Sequence, residues 1–297
     1  MKRTGFIAIV GRPNVGKSTL LNSFLGEKVA IVSNKPQTTR NRITGICTKG
    51  EDQYVFLDTP GMHEPKNRLG EFMVKEADSS MRSADAVILV IDVTKEVTAV
   101  EKNVIDFLKK SETPSVLAIN KIDMCQREEL AEKISEYAAL HDFDAFVPIC
   151  AKNGKNVDEV LGECSKFLSE SPWFFPEDMI TDQPERQIAA EIIREKILRT
   201  LNKEVPHGTA VVIEEFKDEG TLVSIRAEIF CEKASHKGII VGKGGASLKL
   251  IGSYARADLE KLLGTKVYLN LWVKVKENWR ESANTVGNFG YRSERDD

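Results

Sequence analysis

Two stretches of this sequence set a lysine among glycines just ahead of a helical pattern: "GRPNVGKS" at 11–18 and "GIIVGKGGASLK" at 238–249. The first carries Gly11, Gly16, Lys17 and Ser18 at every fixed position of a phosphate-binding loop, directly after the apolar run "GFIAIV". Glycines let backbone N–H groups close on phosphates, and the following helix N-terminus adds a positive field. Lys17 is then placed to neutralise the outer phosphates and Ser18 to offer a hydroxyl to Mg2+, while Asn14, Val15 and Thr19 complete the cradle.

Three further pieces follow at the ends of apolar runs, where open α/β sheets bind ligands. "DTPG" at 58–61 puts Asp58 where a carboxylate can hold a water of the Mg2+ shell, and Gly61 where an N–H can meet a terminal phosphate. "NKID" at 120–123 selects the base: Asp123 can accept from guanine N1–H and its exocyclic amine, whereas adenine has no matching donor pair. Asn120 would tie the loop and the Lys121 stem cover the ring. "CAKNG" at 150–154 closes the site through the Ala151 N–H, with Lys152 beside it. Each piece alone is common; their order and spacing behind a phosphate loop define a GTP site.

The second lysine loop fails as a nucleotide site. A second phosphate loop would need glycine at Lys237 and a hydroxyl at Gly244, and a dinucleotide fingerprint would need glycine at Ser247. What remains is G-x-x-G, Gly242, Lys243, Gly244 and Gly245, ahead of a helix with Leu248, Ile251, Ala255, Leu259 and Leu262 at helical spacing. That is the loop with which a KH domain clamps the backbone of about four single-stranded nucleotides. Lys237, Lys249 and Arg256 can line the same face.

The elements needed to hold these residues are legible. Short Val/Ile-rich runs alternating with helical patterns over the first 170 or so residues predict an α/β domain with a mostly parallel sheet covered on both faces. "ITGICTKGEDQYVFLD" reads as a hairpin turning near Gly50, hence an antiparallel edge. "SPWFFPEDMITDQPER" breaks the pattern with three prolines and reads as a linker pinned by Trp173 and Phe174. Helix–strand–strand–helix–loop–helix–strand then gives a small α+β unit. The expected division is 1–172 GTPase domain, 173–186 linker, 187–281 KH domain and 282–297 a polar, disordered tail.

The net charge of −3 argues against a general polyanion binder, but it is uneven. Residues 184–285 carry 17 Lys/Arg against 14 Asp/Glu, whereas 1–183 carry 23 against 28, which places an anionic partner on the C-terminal half. The five cysteines form no C-x-x-C pair, so reduced cytosolic thiols and a cytoplasmic location are expected. No stretch has the apolar length of a membrane span or the form of a signal peptide.

Taken together, the N-terminal motifs resemble a translation-factor-type GTPase, and "QTTRNRI" at 37–43 looks like the switch segment of the Era family. A GTPase domain followed by one type II KH domain, closing on "VKVKENWR" at 273–280, is similar to that family over almost the whole chain. The resemblance implies Thr39 as the second Mg2+ ligand, with Lys17, Thr39 and Gly61 serving hydrolysis of GTP to GDP. It matches Asn14 to a position that can help hold K+. It further implies binding to the 3′ end of small-subunit ribosomal RNA, maturation of that subunit, a monomer, and peripheral contact with the inner membrane. Two departures stand out. Met62 follows DTPG where Ras-like enzymes place a water-orienting glutamine, which implies slow turnover and leaves His63 as a candidate base. Cys150 stands where many relatives have serine. Two readings therefore stay open: a GTP-driven switch over RNA access, and an RNA-binding assembly protein for which GTP is structural.

Overall fold

The computed structural model describes Met1–Arg292, grouped into two compact units. The first comprises Met1–Pro65 and Met73–Asp182, and the second Lys66–Phe72 and the chain from Gln183.

In the first unit the strands are β1 (Arg3–Val10), β2 (Ile43–Lys49), β3 (Asp52–Asp58), β4 (Ala86–Asp92), β5 (Ser115–Asn120), β6 (Ala145–Pro148) and the short β7 (Ser169–Glu170). They lie in the order β2-β3-β1-β4-β5-β6, with β7 antiparallel to the start of β1. Only β2–β3 is antiparallel along that path, as the hairpin pattern predicted; Gly50 takes φ +61 in its turn. The helices are α1 (Lys17–Leu25), α2 (Arg68–Ser83, shared between the units), α3 (Ala99–Ser111), α4 (Arg127–Ala138) and α5 (Val157–Cys164). Alternation along β1 explains how both sheet faces are sealed. Ile7 and Ile9 enter a core with Leu20 and Phe24 of α1, while Ala8 and Val10 enter another with Val104 and Leu108 of α3. Strand β4, flanked on both sides, is buried at all seven positions, as a continuous apolar run in a parallel sheet requires.

The segment expected as a linker is an integral edge of this unit up to residue 181. The Trp173 indole donates to Glu51 O at 3.0 Å, and Phe174 stacks on Phe6 with centroids 5.2 Å apart. Gln53 exchanges two hydrogen bonds with the Phe175 backbone, at 2.9 and 3.0 Å. Ile46 N–H donates to Ile180 O at 2.8 Å, and the Thr181 hydroxyl to Thr44 O at 2.7 Å. Prolines forbid a regular strand here, yet side chains and single amides still satisfy the exposed hairpin edge.

The second unit contains α6 (Glu185–Thr200), β8 (Ala210–Asp218), β9 (Leu222–Cys231), α7 (Ala234–Val241), α8 (Ala246–Leu263), β10 (Lys266–Val275) and α9 (Ala283–Asn288). Strand order is β10-β9-β8, with β8 antiparallel and β10 parallel to β9. Helices α7 and α8 supply the crossover that parallel pairing needs. The core joins Ile193 and Ile197 of α6 to Ile251, Ala255 and Leu259 of α8 and to the inward residues of the sheet.

Residues 282–292 correct the expected disorder. Ser282 caps α9 by accepting from Thr285 N–H, and Tyr291 is buried. The reason is Trp279, fully buried, whose indole donates to Gly208 O at 2.9 Å. Phe289 packs on that ring with centroids 5.3 Å apart and stacks on Phe230 at 4.4 Å, and Tyr291 lies 6.0 Å from Trp279, so the polar composition hides aromatic anchors. The rest of the expected disordered tail, 293–297, lies outside the described residues. Trp279→Ala should destabilise the second unit by about 3–5 kcal/mol, read as a lower urea midpoint with the slope kept. An unchanged midpoint would contradict the anchoring.

Candidate functional site

The carboxyl ends of β1, β3, β5 and β6 converge on a cavity of about 630 Å³. The loop after β1 is shaped by backbone that other residues resist: Gly11 takes φ +145, and a Cβ there would lie 2.3 Å from Val90 O. A Cβ on Gly16, at φ +107, would lie 2.2 Å from the Asn120 amide nitrogen. That amide is the joint of the site. It donates to Val15 O at 2.7 Å, while its oxygen accepts from Lys121 N–H at 2.8 Å and Ala151 N–H at 2.9 Å. One buried side chain thus ties the phosphate loop, the NKID loop and the CAKNG loop together.

Lys17 is buried, and its ammonium donates to Gly11 O and Arg12 O at 3.0 and 2.9 Å. Burial pushes its pKa down to about 8, with Asp58 pulling the other way. The Ser18 hydroxyl donates to Asp58 Oδ2 at 2.6 Å and lies 2.8 Å from the Thr39 hydroxyl. The second Asp58 oxygen is buried with no hydrogen-bond partner, and burial raises that carboxyl to about 6 against the pull of Lys17 and Ser18. Two hydroxyls and a carboxylate with an unused oxygen form a hard oxygen donor set, which fits Mg2+. Gly61 lies against the phosphate loop: a Cβ there would sit 2.8 Å from Pro13.

At the base end, Asp123, Lys121 and Lys152 line the cavity. The Lys121 ammonium donates to Asp92 at 2.6 Å, which stretches its stem across this end. The Cys150 thiol donates to Asp123 Oδ1 at 3.1 Å, so a thiol holds the carboxylate where serine was the expected type.

Asn14, Gly16, Lys17, Ser18, Thr19, Thr39, Gly61, Asn120, Lys121, Asp123 and Lys152 line this cavity together. Gly11, Val15, Asp58 and Ala151 stand behind it, acting through backbone or through Ser18. The Ala151 N–H, expected to be open to guanine, has an internal acceptor in Asn120, which a base would share. His63 turns its Nδ1 to Gly61 O at 2.9 Å and does not line the cavity, and Met62 packs on the core. Sequence reading missed Ile31, Val32 and Met124 as lining residues. The first two lie in a loop without a motif, and only the position of Met124, next to Asp123, signals it.

In the second unit the G-x-x-G loop joins α7 to α8. Gly242, Gly244 and Gly245 all take positive φ, and a Cβ on Gly242 would lie 2.8 Å from the Ser247 side chain. The loop opens onto a cleft of about 420 Å³ lined by Gly245, Leu248, Lys249, Gly252, Ser253 and Arg256, with Leu269 and Leu271 of β10 as its floor. Lys243 is exposed at the loop tip. Lys237, expected on the same face, is exposed on α7 and does not line the cleft.

Residues 6–121 match the family model described as "50S ribosome-binding GTPase", and residues 204–280 match the KH domain. The chain is 51% identical over 294 residues to GTPase Era of Clostridioides difficile strain 630, covering 98% of this chain and 99% of that one. It is 48% identical to GTPase Era of Ruminiclostridium cellulolyticum, covering 99% of both. Among solved structures it is similar to Era in complex with MgGDPNP and nucleotides 1506–1542 of 16S ribosomal RNA. That match has a TM-score of 0.95 and 42% identity, covering 99% of this chain and 100% of the other. An Aquifex aeolicus Era variant bound to GDP and AlF4− matches with a TM-score of 0.94 and 43% identity, covering 98% and 100%. Among the described residues no helix is long and apolar enough to cross a membrane.

Asp58 gives a pH signature to the nucleotide-free protein. Its folded pKa lies above its ordinary value, so the fold keeps a proton that the unfolded chain has lost. Stability therefore falls as pH rises from about 4 to about 6, by about 3 kcal/mol at most. Urea unfolding without nucleotide or Mg2+ should show that loss in the wild type and not in Asp58→Asn. Parallel pH profiles would contradict it.

Proposed function

The chain belongs to the Era family of GTPases, and from that membership we propose that it is a GTP-driven switch governing a KH domain that holds the 3′ end of small-subunit ribosomal RNA during maturation of that subunit. The observation that carries the reading is the Ser18–Thr39–Asp58 cluster, in which one hydroxyl joins the phosphate loop, the 37–43 switch segment and the end of β3. The segment after DTPG is divided between the units, with Lys66–Phe72 grouped with the second and Met73 onward with the first. The Era structure that carries 16S ribosomal RNA nucleotides supports the RNA assignment, as does the basic second half of this chain.

The geometry supports the following residue roles. Lys17 leaves the loop carbonyls to neutralise the β- and γ-phosphates, and the Gly61 N–H donates to the γ-phosphate. Ser18, Thr39 and Asp58 would hold Mg2+, which would neutralise phosphate charge there. Asp123, held by Cys150, reads guanine, and Asn120 fixes the loops. Asn14 bridges the phosphate loop to Asn34 O at 2.9 Å, which supports its carboxamide as part of a K+ site. With Met62 packed on the core and His63 turned to its own backbone, no side chain of DTPGMH is placed to orient water, so intrinsic turnover is slow. That observation also favours the second reading, an assembly protein with structural GTP. A monomer in the cytoplasm, with peripheral contact with the inner membrane, rests on the family membership.

In the second unit, Gly242, Gly244 and Gly245 let the RNA backbone approach, and Lys243 and Lys249 supply charge, while Lys237 contributes at longer range. Converting Lys243 and Gly244 together to aspartate should weaken binding of a 16S ribosomal RNA 3′-terminal oligonucleotide by more than about 10-fold. GTP affinity and circular dichroism should stay unchanged. Unaltered RNA affinity would overturn the KH assignment.

A further inference from the structure

Strand β10 has two working faces. Leu269 and Leu271 floor the cleft, and the intervening residues point to the opposite side of the sheet, away from the helices. There Tyr268 and Trp272 are 60% and 59% exposed, unusual for rings of that size, which bury when nothing else is asked of them. They lie four residues apart on one face, about 13 Å along the strand. Basic residues alternate with them: Lys266 and Lys274 flank the pair on β10, and Arg226 stands on β9 opposite Asn270. Among these positions and their β9 partners the acidic residue is Glu228, which Lys274 engages. Arg226 also reaches Glu215 of β8 at 3.5 Å. The pattern along β10 is therefore cation, ring, amide, ring, cation, without a carboxylate, on a chain whose net charge is −3. Because β10 ends the strand order β10-β9-β8, its outer edge has no strand partner among the described residues, and a strand of nucleic acid can pass over it.

We propose that the outer face of β10 is a stacking platform for single-stranded RNA, on which nucleotides flanking those in the G-x-x-G cleft stack against Tyr268 and Trp272 while Lys266 faces the phosphates and Lys274 and Arg226, shared with Glu228 and Glu215, add charge beside it. Charge complementarity and continuity with the cleft, through alternate residues of one strand, select this occupant. Rings stack on any base, and interleaved cations track the backbone, which is the recurring solution for holding single strands without reading sequence. The platform rests on the KH reading of the cleft and extends it from about four nucleotides to a longer footprint.

The test uses the full chain and a nested series of 3′-terminal 16S ribosomal RNA oligonucleotides, trimmed stepwise to the four-nucleotide core. For the wild type, affinity should rise with length beyond the core. Tyr268→Ala and Trp272→Ala should each lower affinity for the longest RNA about 10-fold or more while leaving the core within about 2-fold. Trp272→Phe should recover most of the loss, since a ring suffices, and Lys266→Ala should reduce the salt slope by about 1. Core RNA that binds, together with long-RNA affinities unmoved by both alanine variants, overturns the platform and leaves the face to a protein partner. If no RNA binds the wild type at any length, the KH reading itself fails, and the platform with it.

Discussion

The Ser18 hydroxyl is the point on which the nucleotide site depends. At 2.6 Å from Asp58 and 2.8 Å from Thr39 it makes three chain segments, the phosphate loop, the switch segment and the end of β3, share one small atom group. The cluster gathers buried charge: one Asp58 oxygen is buried without a hydrogen-bond partner, and the buried Lys17 ammonium donates to two loop carbonyls. Burial moves the Lys17 ammonium down to about 8 and the Asp58 carboxyl up to about 6, and phosphate oxygens and a divalent cation are the partners that would offset that burial.

Much of the first unit was legible because its function is carried by backbone at strand ends. Phosphate loops require glycine at fixed places, and the reasons are visible as near-collisions: Val90 O against Gly11, Asn120 against Gly16, Pro13 against Gly61. The hairpin was legible because its alternation and turn agree. What escaped was side-chain bookkeeping. Nothing in "NKID" says that the Ala151 N–H already has an acceptor, or that His63 folds back on Gly61 O. These depend on which of several competing partners lies nearer, which periodicity does not encode.

The linker segment is pinned by Trp173 and Phe174 as expected, and what its prolines concealed is the further pairing of residues 175–181 with the hairpin edge, whereas the polar tail is ordered by aromatic anchors that its composition concealed. Trp173 and Phe174 bind the first to the edge of its sheet, and Trp279, Phe289 and Tyr291 bind the second. Composition averages over such anchors.

The account predicts that nucleotide and RNA are coupled ligands of one chain, and coupling of binding free energies is reciprocal. The most direct measurement is GTP affinity and turnover with and without an RNA carrying the 3′ end of 16S ribosomal RNA. A change of several-fold in either, matched for affinity by the same factor in RNA binding with and without GTP, is expected. Turnover and affinity that ignore the RNA would contradict the switch and leave GTP a structural ligand.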